Sequence, residues 1–253
     1  MTGITPAVLV EVCVDSVASA VAAERGGAAR LELCSALGEG GVTPSTGLME
    51  LVLAAVRLPV HVMIRPRGGD FCYDADEFKA MGRDIAHAKR IGAHGVVLGI
   101  LHAGGTVDVA RSRELRELAL PLSVTFHRAF DMAADFFPAL EDLCGIGVDR
   151  VLTSGGEATS IAGSGVISQL IRQSRGRIVV MPGSGIKPGN AGQLVEATGA
   201  REIHVSLRTS LPSPMQHRNP KVSMGSARND EYQRFVVLEE EVRRLCAALN
   251  HCA

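Results

Sequence analysis

The sequence predicts a single α/β domain over residues 8–251, a (β/α)8 barrel of the TIM type. Three observations carry this expectation. Eight short apolar segments rich in β-branched residues alternate with helical stretches. Four helical stretches end in Gly27-Ala28, Gly92-Ala93, Gly147-Val148 and Gly199-Ala200, each followed within a few residues by a strand. Glycine at that place is the left-handed cap that stops a helix. These endings precede the even-numbered strands, whereas Leu58-Pro59-Val60 and Leu120-Pro121-Leu122 lead into the third and fifth, so pairs of βα units repeat. A doubly wound sheet is the rival. It seldom needs eight near-equal units, and no G-x-G-x-x-G follows the first strand.

The elements follow in order. Val8–Asp15 (VLVEVCVD) reads as the first strand, and an Ala-rich helical run extends from Ser16 to Glu24. Arg30–Ala36 (RLELCSA) is the second strand. Thr43-Pro44 supplies an N-cap and first-turn proline for a helix whose apolar positions continue to Val56. The third strand opens at Val60. Val60, Val62 and Ile64 share one face, His61, Met63, Arg65 and Arg67 the other, and Gly68-Gly69 break it. Asp74 and Glu77 form a capping box, after which Phe78, Met81, Ile85 and Ala88 step by three and four. Gly95–Leu101 is a fourth, almost wholly apolar strand, Asp108–Leu118 a fourth helix and Leu122–Phe130 a fifth strand. Arg150–Ser154, Arg177–Met181 and Glu202–Leu207 supply the remaining strands. The last helix carries Phe235, Leu238, Val242, Leu245 and Leu249 on one stripe.

Composition narrows the function. The 253 residues are 46% hydrophobic, enough for a sizeable core, and carry a formal net charge of -1. No global field invites nucleic acid or an anionic membrane. No apolar stretch approaches the roughly 20 residues that span a bilayer, and no signal-like segment opens the chain. The six cysteines lack the density of a disulfide scaffold, so a soluble protein of a reducing compartment is expected. Only four lysines are present (79, 89, 187, 221), none inside a strand. Leu152 stands where a Schiff-base aldolase of similar motif would place its lysine, which argues against imine chemistry.

Alternation assigns the barrel interior. Val10, Val12 and Val14 face the helices, so Glu11, Cys13 and Asp15 point inward. By the same parity Glu32, Cys34, Ser123, Thr125, His127, His204, Ser206 and Arg208 point inward. Barrel interiors are usually layers of Val, Ile and Leu. Buried charge is costly unless paired. The polar set is therefore either a compensating Glu–Arg–His network that fills the barrel or a binding site at the strand C-terminal ends. Arg65 and Arg67, with their guanidinium forks, are candidate anion ligands, and Arg67 is the better contact if Glu11 and Glu32 balance Arg65. Gly183 and Gly185 in Pro182-Gly183-Ser184-Gly185-Ile186, with Ser206 and Arg208, occupy the place where many barrels hold phosphate. Cys13 and Cys34 lie on adjacent strands with matching parity, about 4.8 Å apart across the sheet, within reach of one soft ion and with Met63 one strand further.

The strings EVCVDS, RLELCSALGEGGVTPS, VMIRPRGGDFCY, GVVLGIL, VTFHRAFDM, RVLTSGG, PGSGI and RNPKVSMG resemble, in order and over nearly the whole chain, the CutC family of copper-homeostasis proteins. One departure is Ser184, where the family commonly shows PGGGI. The resemblance implies a cytoplasmic TIM barrel, a homodimer or higher homo-oligomer, with a role in copper handling and Cys13 and Cys34 as Cu(I) ligands. Two functions then compete. A metal handler would bind copper(I) through Cys13 and Cys34, assisted by Met63 or His61. An enzyme would hold a small anionic or phosphorylated molecule by Arg65, Arg67 and the loops after the seventh and eighth strands. Glu11, Glu32, His127 or His204 would then move protons.

Overall fold

The computed structural model describes residues 8–219, 221–222 and 231–250. Eight parallel strands form the barrel: β1 (Leu9–Val14), β2 (Arg30–Leu33), β3 (Val60–Met63), β4 (Gly95–Leu98), β5 (Ser123–Phe126), β6 (Arg150–Thr153), β7 (Val179–Pro182) and β8 (Glu202–Val205). They pair in the order β7-β6-β5-β4-β3-β2-β1-β8, and a parallel bridge between Gly183 and His204 joins the β7–β8 seam. Around them run α1 (Val17–Gly26), α2 (Thr46–Ala55), α3 (Ala75–Arg90), α4 (Val109–Ala119), α5 (Phe136–Ile146), α6 (Ser164–Ser174), α7 (Ala191–Thr198) and α8 (Glu239–Asn250).

Local chemistry sets the ends of these elements. Gly27, Gly92, Gly147 and Gly199 all take positive φ at helix ends, as the repeat predicts. Asp74 and Glu77 cap α3 reciprocally. Strand alternation then divides the interior. Val10, Val12, Val14, Leu31, Leu33, Val62, Leu98 and Phe126 pack outward with Ala20, Met81 and Leu115 of the helices in the main core. Fully burying each large aliphatic or aromatic side chain there stabilises the fold by about 1.5–3 kcal/mol. Inward-facing Cys13, Cys34, Met63 and Val97 form a separate small cluster inside the barrel.

Three expectations need correction. Ser45, not Thr43-Pro44, caps α2, its hydroxyl accepting from Leu48 N–H. Thr43 instead exchanges hydrogen bonds with the Arg65 backbone and fixes the chain leaving β3. Second, β8 stops at Val205, because Leu207 at φ 44 turns the chain and Arg208 opens β9 (Arg208–Pro212), antiparallel to β10 (Gln233–Val237). Third, Phe235 lies in β10 and not on the last helix. The Phe235-Val236-Val237 run favours extended chain, and the helix starts at Glu239–Glu241, where acidic side chains suit a helix N-terminus. Of the RNPKVSMG stretch, Pro220 and residues 223–225 lie outside the described residues.

Candidate functional site

The polar interior begins with an ion network near the strand N-terminal ends. Arg30 crosses the barrel, its Nε donating to Glu11 and its Nη2 to Glu202 Oε2 at 2.6 Å. Arg150 Nε donates to that same Glu202 oxygen at 3.0 Å. The other Glu11 oxygen meets His204 Nδ1 at 2.8 Å. Burial pushes the Glu11 carboxyl up, but the His204 hydrogen bond and the Arg30 charge outweigh it and hold it well below the usual carboxylate range. Burial likewise opposes charge on His204, yet Glu32 and Glu11 raise its pKa above the ordinary imidazole value. The compensating network foreseen as a filling of the barrel thus exists, with Arg30 and Arg150 as its arginines. Glu11 balances neither Arg65 nor Arg67, because Arg30 stands directly opposite it in the β1–β2 register.

Two imidazoles fit in the interior because glycines face them, Gly95 at the start of β4 and Gly99 just after its end. A Cβ at Gly95 would come within 2.5 Å of the His61 ring, and one at Gly99 within 2.6 Å of the His127 ring. His61 is buried below the mouth, and burial lowers its pKa to about 4. His127 caps the turn Arg128–Met132, its Nδ1 accepting from Ala129 N–H, so the ring proton resides on Nε2. Among the described residues no group pairs with that buried Nε2. Burial, then the Arg65 charge, lowers His127 to about 3. The folded value lies below the unfolded value of about 6.5, so neutral His127 contributes stability fully above that pH. That contribution is lost progressively as pH falls from about 6.5 to about 3. Urea midpoints measured across this window should fall with pH, and His127→Gln should flatten the fall; an unchanged slope in the variant would contradict this cause.

The sulfur cluster of Cys13, Cys34 and Met63 gathers at β1, β2 and β3. Cys13 Sγ lies 3.4 Å from Cys34 Sγ and 3.2 Å from Glu32 Oε1. The first separation is well beyond a disulfide bond, and both thiols are free. His204 Nε2 is 3.9 Å from Glu32 Oε1, and ligand atoms of Cys13, Glu32 and His204 all lie within 4.8 Å of one another. The other Glu32 oxygen is buried with no partner among the described residues. The Cys34 hydrogen bond, burial and the nearby Glu32 all raise the Cys13 thiol pKa well above its ordinary value. Burial, reinforced by Glu11 against the opposing His204, raises that of Glu32.

At the mouth a cavity of about 360 Å³ is lined by Cys13, Glu32, Met63, Arg65, His127 and His204, together with Arg128, Asp131 and Ser206. Arg65 donates through Nη1 to the Glu39 and Gly41 carbonyls and through Nη2 to that of Gly69, each within 2.9 Å. It lies over the Phe71 ring, its Nε lacks a partner, and among the described residues no carboxylate pairs with it. Arg67 does not join it. Its Nε donates to Glu77 Oε1 at 2.5 Å and its Nη2 to Asp70 Oδ1 at 3.0 Å, while its guanidinium covers Tyr73, away from the cavity. The alternation behind the shared face ends with β3 at Met63, so it places neither arginine. Arg208 does not line the mouth, because it opens the β9–β10 hairpin and stacks 4.5 Å from the Phe235 ring, but it shares a separate cavity with Gly185 and Ser206. The Gly183 N–H is taken by the Thr153 carbonyl and is not available to an anion, whereas Gly185 and Ser206 do line a cavity beside the mouth.

Two mouth residues escaped the sequence reading, although both stand in the VTFHRAFDM string. Arg128 and Asp131 follow the end of β5 in a turn, where strand parity says nothing. Their signal is the three-residue spacing of opposite charges, and they pair at 2.7 Å.

Fold and site together define a parallel (β/α)8 barrel with a buried thiol–carboxylate–imidazole cluster beneath an arginine-lined mouth. The chain belongs to the CutC family, whose model matches residues 8–209. It is 52% identical to the copper homeostasis protein cutC homolog of Mus musculus over 240 residues, covering 94% of this chain and 88% of that one. A CutC family protein of Chromobacterium violaceum is 46% identical over 242 residues, covering 96% and 98% of the two chains. The crystal structure of CutC from Streptococcus agalactiae superposes with a TM-score of 0.76 at 30% identity, covering 79% of this chain and 98% of that one. Thiamine phosphate pyrophosphorylase from Pyrococcus furiosus, at 15% identity and a TM-score of 0.60 over 97% and 96% of the chains, shares the fold. Among the described residues no helix is long and apolar enough to cross a membrane.

Proposed function

We propose that the protein binds Cu(I) through Cys13 and Cys34 and serves copper homeostasis in the cytoplasm, as a homodimer or higher homo-oligomer. The observation that carries the reading is the approach of two unpaired sulfurs to 3.4 Å inside the barrel. Thiolate and thioether donors select Cu(I), and Met63 packs in the same cluster. Glu32 and His204 are the hard and borderline groups beside Cys13, and the partnerless Glu32 oxygen supports a further ligand there. His61 is not among the groups whose ligand atoms gather beside Cys13. Thiols bind copper only while reduced, which supports a reducing compartment. The name of the Mus musculus relative supports the copper role, and the family resemblance supports the assembly.

Anaerobic titration with Cu(I) against a competing chromophoric chelator should reveal a tight site in the wild-type protein. The Cys13→Ser/Cys34→Ser variant should lose it, and Cys144→Ser, on α5, should keep it. Equal affinity in the double variant would sink the reading. Light scattering on the same samples reads the assembly, and a monomeric mass would remove that part of it.

A further inference from the structure

A second cavity of about 250 Å³ opens beside the mouth, and the two share Arg128, His204 and Ser206. Its far wall is the loop after β7, formed by Ser184, Gly185 and Ile186. Ser184 and Gly185 take successive positive φ values of 89 and 73°. The Ser184 carbonyl accepts from Ser160 N–H and Oγ, and that of Gly185 from Asn190 Nδ2. Among the described residues nothing accepts from the N–H groups of Ser184, Gly185 or Ile186. Successive backbone N–H groups in such a turn form a concave seat for an anion.

Arg128 supplies the charge across from this loop. Its Nε donates to Asp131 Oδ2 at 2.7 Å and its Nη2 to Ser154 Oγ at 2.9 Å. Asp131 is itself held by Thr153 Oγ1, Ser154 N–H and Gly156 N–H. The guanidinium is thus fixed in place, and among the described residues its Nη1 has no partner. A positioned guanidinium with a free edge suits an oxyanion.

We propose that the 184–186 loop and Arg128 bind the phosphate group of a small phosphate ester, whose organic part occupies the larger cavity against Leu37, Phe71 and Leu152. A tetrahedral phosphate offers three free oxygens to three N–H groups and a guanidinium, whereas a planar carboxylate offers two. Ser206, on the wall shared by both chambers, stands where the ester passes from one to the other. This inference does not rest on the copper reading, because the phosphate seat contains neither cysteine.

Thermal unfolding of the copper-free full chain tests it, with inorganic phosphate, glycerol 3-phosphate and ribose 5-phosphate as probes and acetate and lactate as the opposing arm. A phosphate ester at a hundredfold its Kd should raise Tm by about 5 °C. Arg128→Ala should lose most of that shift, its circular dichroism in phosphate-free buffer reporting that the barrel is intact. Arg67→Ala and Cys144→Ser should keep the shift. No shift with any phosphate, an equal shift in Arg128→Ala, or an equal shift with the carboxylates would overturn the proposal.

Discussion

Arg30→Met is expected to destabilise the protein by about 3–5 kcal/mol, because breaking a buried ion pair from one side leaves uncompensated charge. Arg30 is 4% exposed and stands between Glu11, fully buried, and Glu202. Methionine replaces its length but not its charge, so Glu11 would keep only His204 and Glu202 only Arg150. Adding Glu11→Gln to Arg30→Met should recover part of the loss, since the stranded carboxylate is then neutral. Urea unfolding measures both. A change below about 1 kcal/mol for Arg30→Met would mean that water reaches the site and screens it.

Asp131→Ala should cost about 3 kcal/mol, because it strands several buried donors, each worth about 1–3 kcal/mol when left unmade. The Asp131 carboxylate accepts from Thr153 Oγ1 at 2.5 Å, Ser154 N–H at 3.0 Å, Ser154 Oγ at 3.1 Å, Gly156 N–H at 3.2 Å and Arg128 Nε at 2.7 Å. It therefore ties the turn after β5 to the loop after β6. Asp131→Asn keeps the volume but presents an amide N–H₂ where every partner donates, so it should fall between the wild type and alanine. If alanine and asparagine were equally mild, the loop after β6 would be held by other contacts.

The barrel was legible in the sequence because its signals are local and repeated. Left-handed glycines stop the helices, and alternation within strands sends Val10, Val12 and Val14 outward and Glu11 and Cys13 inward. Cys13 and Cys34 were readable for the same reason, lying in a strand and just beyond the end of its neighbour. Parity fails where a strand stops. Arg67 lies four residues beyond β3, and its place is decided by Glu77 on α3, which no alternation reveals. Arg208 is carried off by the turn at Leu207 into a hairpin whose second strand arrives from residue 233 onward. Arg30 was overlooked as the first residue of its strand, although the parity that turned Glu32 inward turns Arg30 inward too. Arg128 and Asp131 sit in a turn with no period, where only tertiary contacts with Ser154 fix their direction.

X-ray absorption at the copper K-edge on anaerobically Cu(I)-loaded protein tests the central claim most directly. Sulfur scattering from two thiolates in the first coordination shell, absent from Cys13→Ser/Cys34→Ser, is the result expected from the paired sulfurs inside the barrel. A first shell of nitrogen and oxygen alone, unchanged by that double substitution, would contradict it.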